Sequence, residues 1–151
     1  MELLPQELQD VLRLEIPLTG AIGVQVAGYE AGRLTLSAPL APNVNHKDTA
    51  FAGSLTAVAT LSGWGLVWML LREADLPGQI VIQDCSVRYL RPVTRDFAAT
   101  CNVPGTEAVE RFVATFRRRG VARLELRAEI HEAGQLAVEL TGRYVAHRVQ
   151  R

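Results

Sequence analysis

The side chains best suited to chemistry stand together in one short segment. Asn45-His46-Lys47-Asp48 leads into the small run Ala52-Gly53-Ser54, which opens a long stretch without a charged residue. If a helix begins there, its first backbone N–H groups have no intrahelical acceptor and the positive end of its dipole points outward. Small residues at such a place let a carbonyl oxygen approach those donors while negative charge develops on it. Asn45 could orient a water or bind the carbonyl, Asp48 could take the water's proton, and His46 could bind substrate or position water. A second acid, Asp84, interrupts an otherwise apolar strand and competes with Asp48 as the base. Together these residue types suit attack by water on a carbonyl.

Each has a plainer use. Ala52 and Gly53 allow close packing at a helix start. Asn45 forms turns, and Asp48 can cap a helix or simply face solvent. Asp84 can pair with Arg88 at the surface, where such pairs contribute little. Thr60, inside the uncharged stretch, either bonds its own backbone or lines a pocket. Phe51, Leu55, Trp64 and Trp68 either fill the core or close a cleft.

The uncharged stretch, Thr49 to Leu71, is long enough to cross a bilayer as a helix. Half of it is Gly, Ala, Ser or Thr, and the segments after it have one apolar and one polar face. That pattern points to a helix buried by its own protein instead. Residues 6–15 have the spacing of a short amphipathic helix, closed by Pro17 and Gly20. Val24 to Tyr29 and Leu34 to Ala38 read as strands around the turn Glu30-Ala31-Gly32. After Pro77-Gly78, the run VIQDCSVRYLRP places Cys85, Val87 and Tyr89 on one face and Asp84, Ser86 and Arg88 on the other. Phe97 to Val103 is a further strand.

Thr106 reads as an N-cap, and the stripe Val109, Phe112, Val113 and Phe116 predicts a helix ending at Arg117-Arg118-Arg119 and Gly120. Ala122 to Ile130 alternates cleanly with charged residues, and Glu132 to Gln135 turns the chain into a last strand through about Ala146. Short connections favour an antiparallel sheet. One sheet face is apolar and one helix is apolar all round, so wrapping the sheet around the helix buries both. A curved sheet cannot close fully, which leaves a side for a second subunit.

The 151 residues fit one domain, 1–151, with sixteen basic residues balancing sixteen acidic ones. That balance gives no reason to expect nucleic acid or a membrane surface as partner. The N-terminus lacks the unbroken apolar core of a secretory signal. Cys85 and Cys101 are the only cysteines, and His46, His131 and His147 are scattered, so neither a disulfide framework nor a metal site is expected. A cytoplasmic location follows from that reading.

Asn45 to Leu55, NHKDTAFAGSL, with LSGWG beyond it, RYLRP at Arg88 to Pro92 and GRYVA at Gly142 to Ala146 resemble the hot-dog fold of acyl-CoA thioesterases and acyl-carrier-protein dehydratases. The chain is most similar to the thioesterase-type domain that some bacterial proteins carry fused to an acetyltransferase domain. The resemblance covers nearly the whole chain and implies an α+β fold in which an antiparallel sheet wraps one long buried helix. Thioesterases of this fold place a loop Asn before a pattern like G-T-x-H-G-G, with an acid further along the helix. Asn45, Thr49 and Gly53 match it. Asp48 stands at the first Gly, Phe51 replaces the His, Ala52 replaces a Gly, and Thr60 falls where the acid is expected.

The resemblance implies hydrolysis of an acyl-CoA or acyl-carrier-protein thioester in a homodimer or a dimer of dimers, with the pantetheine belonging to the substrate and no separate cofactor. Asn45, Asp48, Asp84, Ala52 and Gly53 are then the catalytic candidates. His46, Phe51, Ser54, Thr60, Arg88 and Arg91 are the candidates for binding substrate. A hydroxyacyl dehydratase and a non-catalytic acyl-binding module are the alternatives.

Overall fold

The uncharged stretch forms a 22-residue helix, α3, over Ala52–Glu73, and the strands are arranged around it. The computed structural model describes residues 3–149; residues 1, 2, 150 and 151 of the expected domain lie outside the described residues. Two helices, α1 (Leu3–Glu15) and α2 (Leu18–Ile22), precede strands β1 (Gln25–Glu30) and β2 (Arg33–Ala38). After α3 come β3 (Gln79–Tyr89), β4 (Phe97–Asn102), helix α4 (Thr106–Arg119), β5 (Val121–Glu132) and β6 (Gln135–His147). The six strands form one sheet in the order β1-β2-β4-β5-β6-β3, and every neighbouring pair is antiparallel.

This is the α+β hot-dog arrangement that the resemblance implies. Strand β5 shows why the sheet curls round α3. Ala122, Leu124, Leu126, Ala128 and Ile130 are buried, while Arg123, Glu125 and Arg127 between them are exposed. With a mean hydropathy of 1.5 over its best window, α3 satisfies the length and apolarity of a membrane span. Its Val58, Ala59, Leu66, Val67 and Met69 are nevertheless completely covered by the protein's own strands and α1.

The close approach of helix and sheet explains the Gly in LSGWG. The ring and hydroxyl of Tyr144 on β6 occupy the space that a Cβ at Gly63 would need. Tyr144 is itself fully buried, and its hydroxyl donates to the Thr60 carbonyl at 2.7 Å. Burial pushes its phenol well above the ordinary range.

Two expectations are corrected at helix ends. Pro17 does not only end the first helix: it starts α2, a single turn that was not foreseen, which Gly23 closes at φ 80°. Thr106 is the first helical residue of α4 and not its cap; Gly105, at φ 140°, stands at that position, and no side chain caps the helix. The expected stop at Gly120 holds, with φ 74° and its N–H donating to the Phe116 carbonyl at 2.8 Å.

The two margins of the sheet are treated differently. Along β1, the buried Gln9 side chain of α1 donates to the Val24 carbonyl at 3.1 Å and accepts from the Val26 N–H at 2.6 Å. A side-chain amide thereby stands in for a neighbouring strand. Along β3, the Trp64 indole donates to the Ile80 carbonyl at 2.9 Å, and β6 is the strand's one ladder partner among the described residues. Such a margin is a template for another strand.

Gly63→Ala should cost about 1–3 kcal/mol or more through overpacking against Tyr144, read as a lower denaturant midpoint with an unchanged slope. The two thiols should also separate. Burial pushes the Cys101 thiol up to about 12, whereas Cys85 is exposed. Ellman's reagent at pH 8 should therefore titrate one thiol in the native protein and two after unfolding.

Candidate active site

Helix α3 begins without a side-chain cap because the chain reaches it in a fixed, extended approach. The Ala50 N–H donates to the Val93 carbonyl at 2.8 Å, and the Phe51 N–H donates to the Asn43 carbonyl at 2.7 Å. Asn43 is buried and anchors this approach, its amide donating to the Ile22 carbonyl at 2.9 Å and the Pro39 carbonyl at 2.7 Å. Phe51 stays extended, at φ −63° and ψ 132°, and its carbonyl accepts from Ser54 and Leu55. Among the described residues, the N–H groups of Ala52 and Gly53 have no acceptor. Both residues are exposed. Two adjacent donors at the positive end of a 22-residue helix can hold a developing oxyanion.

Phe51 also shapes the surface beside these donors. Its ring lies where a Cβ of residue 53 would be, so Gly53 is the residue that lets the ring fold back over the helix start. The ring remains 55% exposed and available to an apolar ligand. Ser54 is half-buried in the same first turn.

The loop candidates are brought close in sequence and fold, but their side chains have different work. Val44 and Ala50 bridge across the loop's base. The Asn45 carboxamide donates to the Thr49 hydroxyl at 2.8 Å and accepts from the N–H groups of Lys47 at 2.8 Å and Thr49 at 3.2 Å. Asn45 thus holds the loop's shape, with its oxygen and amide both occupied. His46 is exposed at the tip. Asp48 is exposed and left-handed, at φ 61°, a conformation that Asp tolerates and Gly adopts freely. The glycine of the thioesterase pattern at this position therefore has a backbone reason.

Asp84 lies elsewhere. After a bulge between Ile82 and Asp84, it pairs with Arg143 across the ladder and approaches that guanidinium at 3.6 Å, in place of the Arg88 partner expected. Cys85, Val87 and Tyr89 point toward the α3 side, as the alternation predicts, so Asp84 and Arg88 face away from it. The pleat separates Asp84 from the helix start of its own chain. Arg88 meets Glu139 at 3.3 Å on that outer face. Arg91 is exposed in the segment leading from β3 to Val93, whose carbonyl holds Ala50.

Two residues that sequence reasoning passed over belong to this place. The Tyr89 hydroxyl, at the end of β3, contacts the Thr56 hydroxyl one turn into α3. The alternation places Tyr89 on one strand face with Cys85 and Val87, without a partner on the helix. The usable signal was Thr56, three residues beyond Gly53 and hence on the same side of the helix. Thr60 continues that stripe half-buried, its carbonyl taken by Tyr144, and Trp64 follows. Across from the stripe, Cys85 stays exposed and Val87 half-buried although both face the α3 side of the sheet. The stripe from Thr56 to Trp64 and the facing residues of β3 are thus incompletely covered.

The comparisons with known proteins bear on the fold and the family. Residues 5–148 match the family described as "Putative thioesterase (yiiD_Cterm)". A crystal structure of the putative thioesterase from Shewanella oneidensis is similar at 32% identity and a TM-score of 0.88, over 97% of this chain and 99% of that one. A protein of unknown function from Chlorobaculum tepidum is similar at 28% identity and a TM-score of 0.91, covering 96% and 94%. The E. coli PaaI protein from the phenylacetic acid degradation operon shares the fold at 14% identity, a TM-score of 0.66 and coverage of 97% and 94%. With nearly its whole length matched, the chain belongs to the yiiD C-terminal thioesterase family.

Proposed function

We propose that the protein hydrolyses an acyl-CoA or acyl-carrier-protein thioester at the start of α3. The observation that carries this reading is the pair of free N–H groups at Ala52 and Gly53, exposed beside the half-covered Thr56–Thr60–Trp64 stripe. The thioester carbonyl oxygen is received by those two donors, and the acyl or pantetheine chain follows the Thr56–Thr60–Trp64 stripe. Water adds to the carbonyl carbon as it gives up a proton, the oxyanion forms against the N–H groups, and the C–S bond breaks as the sulfur leaves as a thiol with that proton returned from the base. Asp48 is the carboxylate nearest in sequence to this point and takes the water's proton. Asn45 holds the loop that carries Asp48, with His46 at its tip. Phe51, Ser54 and the Thr56–Tyr89 hydroxyl pair border the carbonyl, and Arg91 lies toward the carrier.

A homodimer fits the same reading. The free margin of β3 can pair antiparallel with its copy about a two-fold axis, and exposed Val81, Tyr89 and Leu90 lie on or beside it. Strand pairing there would wall the stripe. Two unbridged thiols suit a reducing cytoplasm.

Ala52→Pro tests the oxyanion donors directly. Proline is well tolerated at the first helical position, and the extended Phe51 before it is compatible. The variant should keep its folding midpoint yet lose about 10²–10³ in kcat; unchanged turnover would remove the Ala52 donor from the mechanism. Asp48→Gly relieves the left-handed backbone while deleting the carboxylate. Equal or higher stability with little activity would support its role as base, and full activity would exclude it. Both variants are assayed on a panel of acyl-CoA esters with a thiol-trapping reagent. Tight acyl-CoA binding without thiol release by the unaltered protein would mark a binding module instead.

A further inference from the structure

The cover over α3 is complete except along one row. From Leu55 to Leu71 every residue is buried apart from Thr56, Ala57, Thr60, Trp64 and Trp68. These recur every three or four positions, so they share one face and continue the line of Gly53 with its free N–H. The row changes character along its length. Thr56, Ala57 and Thr60 are small, and two tryptophans follow them.

β3 meets α3 at both ends of the small part. The Tyr89 and Thr56 hydroxyls touch near the helix start, and the Trp64 indole donates to the Ile80 carbonyl at 2.9 Å. Between those contacts the strand turns Val87 and Cys85 toward the helix, the first half-buried and the second exposed. The indole is held by its hydrogen bond across the space from helix to strand, so a broad flat ring stands where the small residues end. Past it, Trp68 borders a cavity of about 530 Å³ together with Leu4, Leu71, Leu76 and Val149.

The chemistry of the row decides which arm of a thioester it can hold. Pantetheine carries two amides and must lead back to its carrier in solvent. Between Thr60 and Trp68 the row offers those amides no partner, because the Trp64 N–H is already used, and unpaired amides are costly to cover. A hydrocarbon tail needs no partner and gains by leaving water. Its length follows from the helix. Trp64 lies eleven residues beyond Gly53, about 16 Å of rise. Contact with the ring takes up about 4 Å, and each methylene of a zigzag chain advances about 1.25 Å. About eight to ten carbons therefore fit between the donors and the indole.

We propose that Trp64 sets the acyl length this protein accepts: the tail lies along Thr56, Ala57 and Thr60 and ends against the indole. The substrate class is then a straight, medium-chain acyl group of about eight to ten carbons. This rests on the thioesterase reading for the seat of the carbonyl, and not for the path of the tail.

Two substitutions should move the limit in opposite directions. Trp64→Ala removes the stop, and the preferred chain should lengthen by about five carbons, the next 6 Å of helix up to Trp68. Thr60→Leu fills the row one turn nearer the donors, and the preferred chain should shorten by about as many. Both are read as kcat/KM over straight-chain acyl-CoA esters from butanoyl to octadecanoyl. In the unaltered protein that value should fall about tenfold or more past ten carbons, where a longer tail must overpack the ring. The readout is the ratio of long-chain to short-chain turnover, so a general loss of activity in a variant cancels. A ratio unmoved in either variant would overturn the proposal. A second measurement needs no turnover. The protein has two tryptophans, so Trp68→Phe leaves Trp64 as the sole one. Its emission should shift to shorter wavelength with 2-oxoundecyl-CoA, which keeps a carbonyl but has no thioester to hydrolyse, and should stay unchanged with acetonyl-CoA. Absence of turnover on every ester would sink the thioesterase reading, and the emission would still decide the path of the tail. Equal response to the two ligands, or response to neither, would refute it.

Discussion

The apolar surface of α3 is the constraint on which the rest of the structure depends. A helix with no polar side must be enclosed, and in this chain the sheet encloses it. Enclosure sets the residues at the points of closest approach. Gly63 leaves room for the Tyr144 ring, and the Tyr144 hydroxyl in turn satisfies itself on the helix backbone at Thr60. A phenol buried this completely has one acceptor and one orientation, so it fixes the axial position of α3 against β6. That position decides where the first turn emerges.

The reactive end follows from the way the chain enters the helix. Asn43, Val93 and the Val44–Ala50 bridge hold the approach extended until Phe51, and the turn to helix comes abruptly. An abrupt start with no capping side chain leaves donors free. Ordinary helix starts satisfy them with Ser, Thr, Asp or Asn. Here Phe51 occupies that position, contributing a ring and no acceptor. The polar loop before it is self-contained, since the Asn45 amide is consumed in shaping the turn that projects Asp48.

Much of this was legible in the residues. The strict alternation of β5, the arginines and Gly120 at the end of α4, and the uncharged run of α3 are local signals, and each became the element expected. The small residues Ala52 and Gly53 likewise marked the free helix start. What was not legible depended on register between distant segments. The pairing of Asp84 with Arg143, in place of Arg88, follows from a bulge and a strand pairing that one strand's sequence does not encode. The Tyr89–Thr56 contact joins positions 33 apart, and nothing in either local pattern announces it. α2 was missed because a five-residue helix carries too little periodicity to register.

The unequal finish of the sheet's borders decides where a further strand would meet resistance. Gln9 acts as a stopper on the β1 border, its amide filling the bonds a newcomer would need. No such plug lies along the β3 border among the described residues, apart from the Trp64 bond to the Ile80 carbonyl. A strand arriving at the β1 border would first have to displace the Gln9 amide from Val24 and Val26, which is a safeguard against open-ended stacking.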